Sequence, residues 1–342
     1  MGTKNRNFIK YAIVASIVVL SLLVFIPRTY KVPGLSPRTA IRYWDLSTGS
    51  HIAYTHLEAK GTKKTTPVIF LQGGPGGPIY DHNIKSLSPL ADSGFEVYLY
   101  DQIGCGFSDR LQNIIEYTVD RNKLDLEAII KTIGAPKVIL IGQSWGAVLA
   151  AAFVTDHAAQ VDKIVFTGPG PILPMRKELE KIKPPDSLHL KKPFFTNRMG
   201  KEKAYNLRAR FVEFCATTFD FKLAPDNEMD DFAALLNFEM NRSTLCDTTQ
   251  HGKLTSGSGY YAMVKTTQSF ETYIDNRQKL KQCKVPVLVM RGQCDGMKWG
   301  YAKEYLELFA NHKLVIIPNA GHAIDAEQPE LYINTILHFL SK

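Results

Sequence analysis

The chain has 342 residues, enough to bury a large core as one big α/β domain or as two smaller ones. Hydrophobic residues make up 45% of it and charged residues 22%, a globular balance that excludes a disordered or fibrous chain. The net charge of +8 comes from scattered Lys and Arg with no nucleic-acid motif, so nucleic acid is set aside as a partner; the one local excess, Arg176 to Lys203, reads as a solvated face suited to anionic lipid headgroups.

At the N-terminus, Lys4, Arg6 and Lys10 precede an uncharged run from Tyr11 to Ile26 that Pro27 and Arg28 close. Phe8 and Ile9 extend the run if Lys10 snorkels, which brings it to spanning length. No small-x-small cleavage site follows, so residues 1–30 are expected to be an uncleaved signal anchor rather than a cleaved signal peptide. Positive charges on the two sides are similar in number and do not fix orientation. The short basic leader favours a catalytic domain on the extracytoplasmic side.

Val32 to Thr39, with two prolines and Gly34, reads as a linker. Ala40–Asp45 and His51–Leu57, split by Ser-Thr-Gly-Ser, predict a hairpin. Pro67 to Leu71 is a third strand, running into Gln72-Gly-Gly-Pro-Gly-Gly-Pro78. No Lys-Ser/Thr follows these glycines, so a phosphate-binding P-loop is rejected. Glu96 to Tyr100 is the next strand; the Gly104-Cys-Gly106 after it lacks the third glycine of a dinucleotide fingerprint. Asp101 and Asp109 are expected to hold this loop. From Val119 to Ile133, Leu124, Ile129, Ile130 and Ile133 fit an amphipathic helix that Gly134 and Pro136 end.

Val138 to Ala152 organises the chain. A β-branched run stops at Gly142-Gln-Ser144-Trp-Gly146, and small apolar residues follow at helical spacing. Strand, sharp turn and helix would leave the Ser144 hydroxyl exposed at the head of a helix, the context that turns a weak GxSxG pattern into a nucleophile. Lys163 to Thr167 is a further strand, and this β-α alternation means a mainly parallel sheet flanked by helices. From Gly168 to about Gln282 the rhythm lapses into Pro- and Lys-rich helical segments, read as a cap over the site. It resumes with Val285–Arg291, a helix around Tyr301 to Phe309, Leu314–Pro318, and a last helix from Leu331 to Phe339. The expected division is anchor 1–30, core 31–169, cap 170–282 and core 283–342.

A serine hydroxyl needs a base, and the base a carboxylate that fixes its tautomer. Of the nine histidines, His322 follows a late strand in a loop, whereas His338 lies inside a helix and His312 at the wrong end of a strand. Asp295 is the only carboxylate in the loop after Arg291, with Asp325 as the fallback. An N–H of the glycine loop, that of Gly74, would join the N–H of Trp145 in stabilising an oxyanion. Such chemistry needs no metal and no organic cofactor. The five cysteines show no zinc-like spacing. In an oxidising compartment Cys215 with Cys246 is the expected bridge, the alternative being five buried thiols.

These residues together resemble the prolyl iminopeptidase group of α/β-hydrolases, peptidases that remove an N-terminal proline. The likeness rests on Gly73-Gly-Pro-Gly-Gly77, Asp101-Gln102 with Gly104-Cys-Gly106 and Ser108, the Ser144-Trp-Gly146 elbow, Asp295 and Gly321-His322, and it spans residues 40–342. It implies an α/β-hydrolase fold with an inserted helical cap, a triad of Ser144, Asp295 and His322, and oxyanion donors Gly74 and Trp145. It also implies cap glutamates that hold the free amine of a small peptide substrate. Phe238-Glu239-Met-Asn looks like the family's cap stretch bearing one of them, so Glu239 is the first candidate and Glu213 the second. Two positions depart from the family: Gln72 replaces a His and Ile103 an Arg, the latter removing a charge brace near the oxyanion loop. The rival readings are an esterase or lactonase with the same triad, and a binding protein on a hydrolase scaffold.

Overall fold

The computed structural model describes residues 3–38, 40–193 and 195–342; Thr39 of the expected linker and the first two residues of the expected anchor lie outside them. Helix α1 (Thr3–Phe25) comes first, and its stretch Asn7–Phe25 is long and apolar enough to cross a membrane. Then come β1 (Ile41–Asp45) and β2 (His51–Leu57), antiparallel as the hairpin predicts, and β3 (Val68–Leu71). Helix α2 (Asp81–Asp92) leads to β4 (Val97–Tyr100), α3 (Val119–Ile133) to β5 (Val138–Gln143), and α4 (Trp145–His157) to β6 (Val161–Thr167).

Between β6 and β7 (Val287–Gly292) the chain passes through α5 (Asn197–Ala204), α6 (Leu207–Thr218), α7 (Asp226–Asn241), α8 (Tyr260–Gln268) and α9 (Arg277–Gln282). It ends with α10 (Trp299–Leu308), β8 (His312–Ile317), α11 (Ile324–Glu327) and α12 (Pro329–Leu340).

The eight strands form one sheet in the order β1-β2-β4-β3-β5-β6-β7-β8, parallel from β4 onward. Strand β5 sits at its centre and is buried along both faces, which is why its sequence is continuously apolar rather than alternating. The pleat sends Leu140 into a core with α3, α4 and α10, and Ile139 and Ile141 into a second core with α2 and α12. The sheet is thus covered on both sides, and its strand ends are left to carry the loops that matter.

Two local expectations need correction. Leu124 is 52% exposed, and Leu126 takes the core position beside Ile129 and Ile130. Cys246 is bonded to Cys294 and not to Cys215, which is a buried free thiol on α6. The segment after α7 packs against the loops that follow β7 and β8, and this brings Cys246 to Cys294 and away from α6.

Candidate active site

Ser144 is the single residue between β5 and α4, and its backbone is forced to φ 54°, ψ −111°. A non-glycine residue holds such a conformation only where the surroundings over-determine it. Here the Ser144 N–H donates to the Thr167 carbonyl at 2.9 Å, while its own carbonyl accepts from Ala147 at 3.1 Å. A Cβ on Gly146 would drive into the Leu71 backbone, and one on Gly142 would stand 2.7 Å from the Ala147 nitrogen. The two glycines therefore let helix and strand cross at contact distance.

Asp295 lies just past β7, and His322 just past β8, each at the C-terminal end of its strand. His322 Nδ1 stands 3.1 Å from Asp295 Oδ1, which also accepts the Met297 N–H at 2.8 Å. Asp295 is 4% exposed. Burial alone would push its carboxyl up; the attraction and hydrogen bond of His322, then Arg291 and the Met297 amide, outweigh it and hold the group below the usual carboxylate range. Burial conversely favours neutral His322, but the adjoining Asp295 carboxylate reverses this and raises the imidazole above its ordinary value.

Asp325, the fallback acid, is engaged elsewhere: its Oδ2 accepts from Asn83 at 3.0 Å and lies 3.5 Å from His82. Ser144 and His322 both have neighbours at the end of β6. A Cβ on Gly168 would come within 2.9 Å of His322 Nδ1, and the preceding Thr167 holds the Ser144 amide. Among the described residues no hydrogen bond joins the two side chains, as is common in such sites before substrate binds.

The glycine loop passes directly over the serine, with the Gly73 Cβ position 3.3 Å from Ser144 Cβ. Among the described residues, neither the Gly74 nor the Trp145 N–H has a protein acceptor. Gln72, standing where the resembling family has His, takes over the positioning of the loop. Its Oε1 accepts the Gly73 N–H at 2.9 Å, and its Nε2 donates to Pro78 O at 2.9 Å and Asn83 at 2.8 Å. The Trp145 indole donates to Gln102 at 2.7 Å, and Gln102 donates in turn to the Gln72 carbonyl at 3.0 Å. The brace that Ile103 cannot supply comes from Arg38, whose guanidinium grips both oxygens of buried Asp101 at 2.8 and 2.7 Å.

Several contributors carry no motif. Arg291, at the end of β7, donates to the Asp295 carbonyl at 2.8 Å and sets its Nη1 3.8 Å from Oδ2 of that residue. The Thr244 carbonyl, from the helical insert, accepts the His322 N–H at 2.6 Å. Glu327 collects the N–H groups of Gly321, Cys246 and Asp247 at 2.6, 2.8 and 3.0 Å, joining the insert to the His322 loop. Their only signal in sequence is a charged residue beside an apolar strand or a glycine.

The two candidate glutamates sit apart. Glu239 is near the end of α7, five residues before Thr244; Lys203 of α5 stands 3.6 Å from its Oε2, which has no hydrogen-bond partner. Glu213, on α6, interacts with Tyr205, whose hydroxyl it helps push out of the ordinary range after burial has done most of the work. Of the two, Glu239 is on the helix that runs directly into the turn carrying Thr244, whose carbonyl touches His322.

Residues 66–328 match the alpha/beta hydrolase fold family, and the chain belongs to it. It is an enzyme of this fold, similar to proline iminopeptidases. The proline iminopeptidase of Heyndrickxia coagulans is 26% identical over 295 residues, covering 86% of this chain and 96% of that protein. Among solved structures, a proline iminopeptidase of Mycobacterium smegmatis superposes with a TM-score of 0.58 at 18% identity, over 88% of this chain and 98% of that one. The esterase RhEst1 of Rhodococcus sp. ECU1013 does so with 0.60 at 18% identity, over 89% and 99%.

Proposed function

We propose that the protein is a membrane-anchored serine aminopeptidase that releases an N-terminal proline, or a similar small residue, from peptides through an acyl-enzyme. The observation that carries this reading is the pairing of His322 with buried Asp295 at the C-terminal strand ends, the same end of the sheet that carries a strained Ser144 beneath a glycine loop with free amides. Ser144 Oγ attacks the scissile carbonyl as His322 takes its proton, and Asp295 keeps the imidazole in the tautomer that allows this. The Gly74 and Trp145 amides stabilise the oxyanion. His322 then protonates the departing amine, and water hydrolyses the ester by the same route. Glu239, with Glu213 as second candidate, holds the substrate's ammonium. Helix α1 is the anchor, and the Cys246–Cys294 disulfide beside Asp295 favours an oxidising, extracytoplasmic compartment.

A carboxylesterase reading of the same triad has one observation in its favour: Lys203 already faces Glu239, and an ester substrate makes no use of a free carboxylate there. The deciding experiment compares full-length enzyme on a proline arylamide, its N-acetyl derivative and a short aryl ester. A peptidase of this kind should lose roughly 10-fold or more in kcat/KM on acetylation, the scale of a charge-assisted hydrogen bond. Equal rates on the free and acetylated amides, or turnover of the ester alone, would transfer the assignment to an esterase.

A further inference from the structure

The C-terminal end of α1 does not leave the molecule through a free tether. Arg208 of α6 donates to the Val24 carbonyl at 2.6 Å while also gripping Glu228 of α7, and Glu228 accepts the Arg28 N–H at 3.1 Å. Asn206 donates to the Tyr30 hydroxyl at 3.0 Å, and Tyr30 packs on Phe232 at 5.7 Å. The position of α6 relative to α1 is thereby fixed.

A continuous aromatic row runs from α1 along α6. Phe25 meets Phe211 at 5.9 Å, Phe211 meets Phe214 at 6.2 Å, and Phe214 meets Phe219 at 5.5 Å. Leu207, Phe214, Phe219 and Phe221 are all exposed, Phe219 to 66%. An apolar groove of about 360 Å³ lies between the helices, lined by Ser21, Val24, Phe25, Leu207, Phe211 and Phe214, with Arg210 at its rim. Exposed apolar surface of this extent marks an interaction site.

Length decides what covers it. Asn7–Phe25 contains 19 residues, about 28 Å of helix at 1.5 Å per residue, close to the thickness of a bilayer's hydrocarbon core. If α1 spans, Ile26 stands at the interface and Ser21 about 7 Å below it. The α6 side chains that line a groove with Ser21 cannot then be in bulk water.

We infer that the Leu207, Phe211, Phe214, Phe219 and Phe221 face is seated in the same bilayer that holds α1, with exposed Arg28 and Arg210 reaching anionic headgroups. This rests on the anchor reading given above. The protein is held by two contacts, a spanning helix and an aromatic face at the interface, so the insert lies on the membrane and does not dangle above it.

The test uses full-length protein in phosphatidylcholine/phosphatidylglycerol vesicles with brominated acyl chains, which quench tryptophan on contact. Tryptophan is introduced singly as Val14→Trp, Phe214→Trp, Phe219→Trp and, on the opposite side of the sheet, Leu331→Trp. The native Trp44, Trp145 and Trp299 are buried and set the baseline. Quenching at 214 and 219 several-fold above that at 331 is the expected result. Quenching at 14 with none at 214 or 219 would overturn the inference and leave the anchor standing. No quenching at 14 would remove the anchor and the inference together. Blue-shifted but unquenched emission at 214 and 219 would assign the face to a second copy of the chain, and also overturns it.

Discussion

The sheet and the helical insert are held by different means. In the sheet, strand register and two apolar cores fix every element that carries Ser144, Asp295 and His322. The insert buries Phe232, Tyr260 and Tyr261 in the larger of those cores and is fastened to the frame, in addition, by backbone against backbone and by ions. Gly259 N–H donates to Gly76 O at 2.8 Å and Gly106 N–H to Gly257 O at 2.7 Å, while Arg110 bridges Asp230 at 3.0 Å and the Gly106 and Ser108 carbonyls. Burial pushes Asp230 up to about 6 in spite of Arg110. The frame is thus positioned by strand register, and the insert by a shared core to which a few polar contacts are added. A change in the first region should abolish turnover without moving the fold, and one in the second should alter substrate choice or stability.

The largest break should come from Ser144→Ala, with a loss of about 10⁴-fold or more in kcat and an unchanged far-UV spectrum. Retained turnover would exclude the serine as nucleophile. Next, Glu239→Gln should lower kcat/KM for a proline arylamide by roughly 10- to 100-fold, the cost of a lost charge-assisted bond, while leaving an aryl ester nearly untouched. Gly259→Ala puts a methyl group against the Gly104 carbonyl, so the insert must shift. A stability loss of about 1–3 kcal/mol in denaturant titration, with a raised KM, is expected. The smallest effect belongs to Arg291→Gln. Arg291 opposes protonation of His322, so its removal should raise the imidazole pKa further. Because the neutral imidazole is the base, the acid limb of the kcat/KM profile should move to higher pH; a move to lower pH would contradict the geometry.

The same contrast explains what was legible in the chain itself. β-strands with two buried faces announce themselves as apolar runs, and glycines at fixed offsets mark Ser144 and the loop above it. His322 and Asp295 stand out as loop residues after the late strands, and the structure brings the two side chains within 3.1 Å of each other. Helix α2 is amphipathic, but it carries Pro89 inside it and follows a Gly-Pro run, and these breakers mask it in the sequence. The Cys246–Cys294 pairing depends on how the insert folds back, which neighbouring residues do not encode. Arg38 and Thr244 act on the site from distant stretches through one guanidinium and one carbonyl, and neither belongs to any local pattern.

The reach of Arg38 has a practical side. Besides clamping Asp101, it donates to the Ile79 carbonyl at 3.0 Å, and the adjoining Leu35 N–H and Pro33 carbonyl are tied to Ser256. The stretch between α1 and the first strand is therefore tied to the body of the enzyme like a strap. A cut near Lys31 would part α1 from a body that keeps its strap. A cut past Arg38 would strand a sealed-in aspartate without its cation, close to the glycine loop.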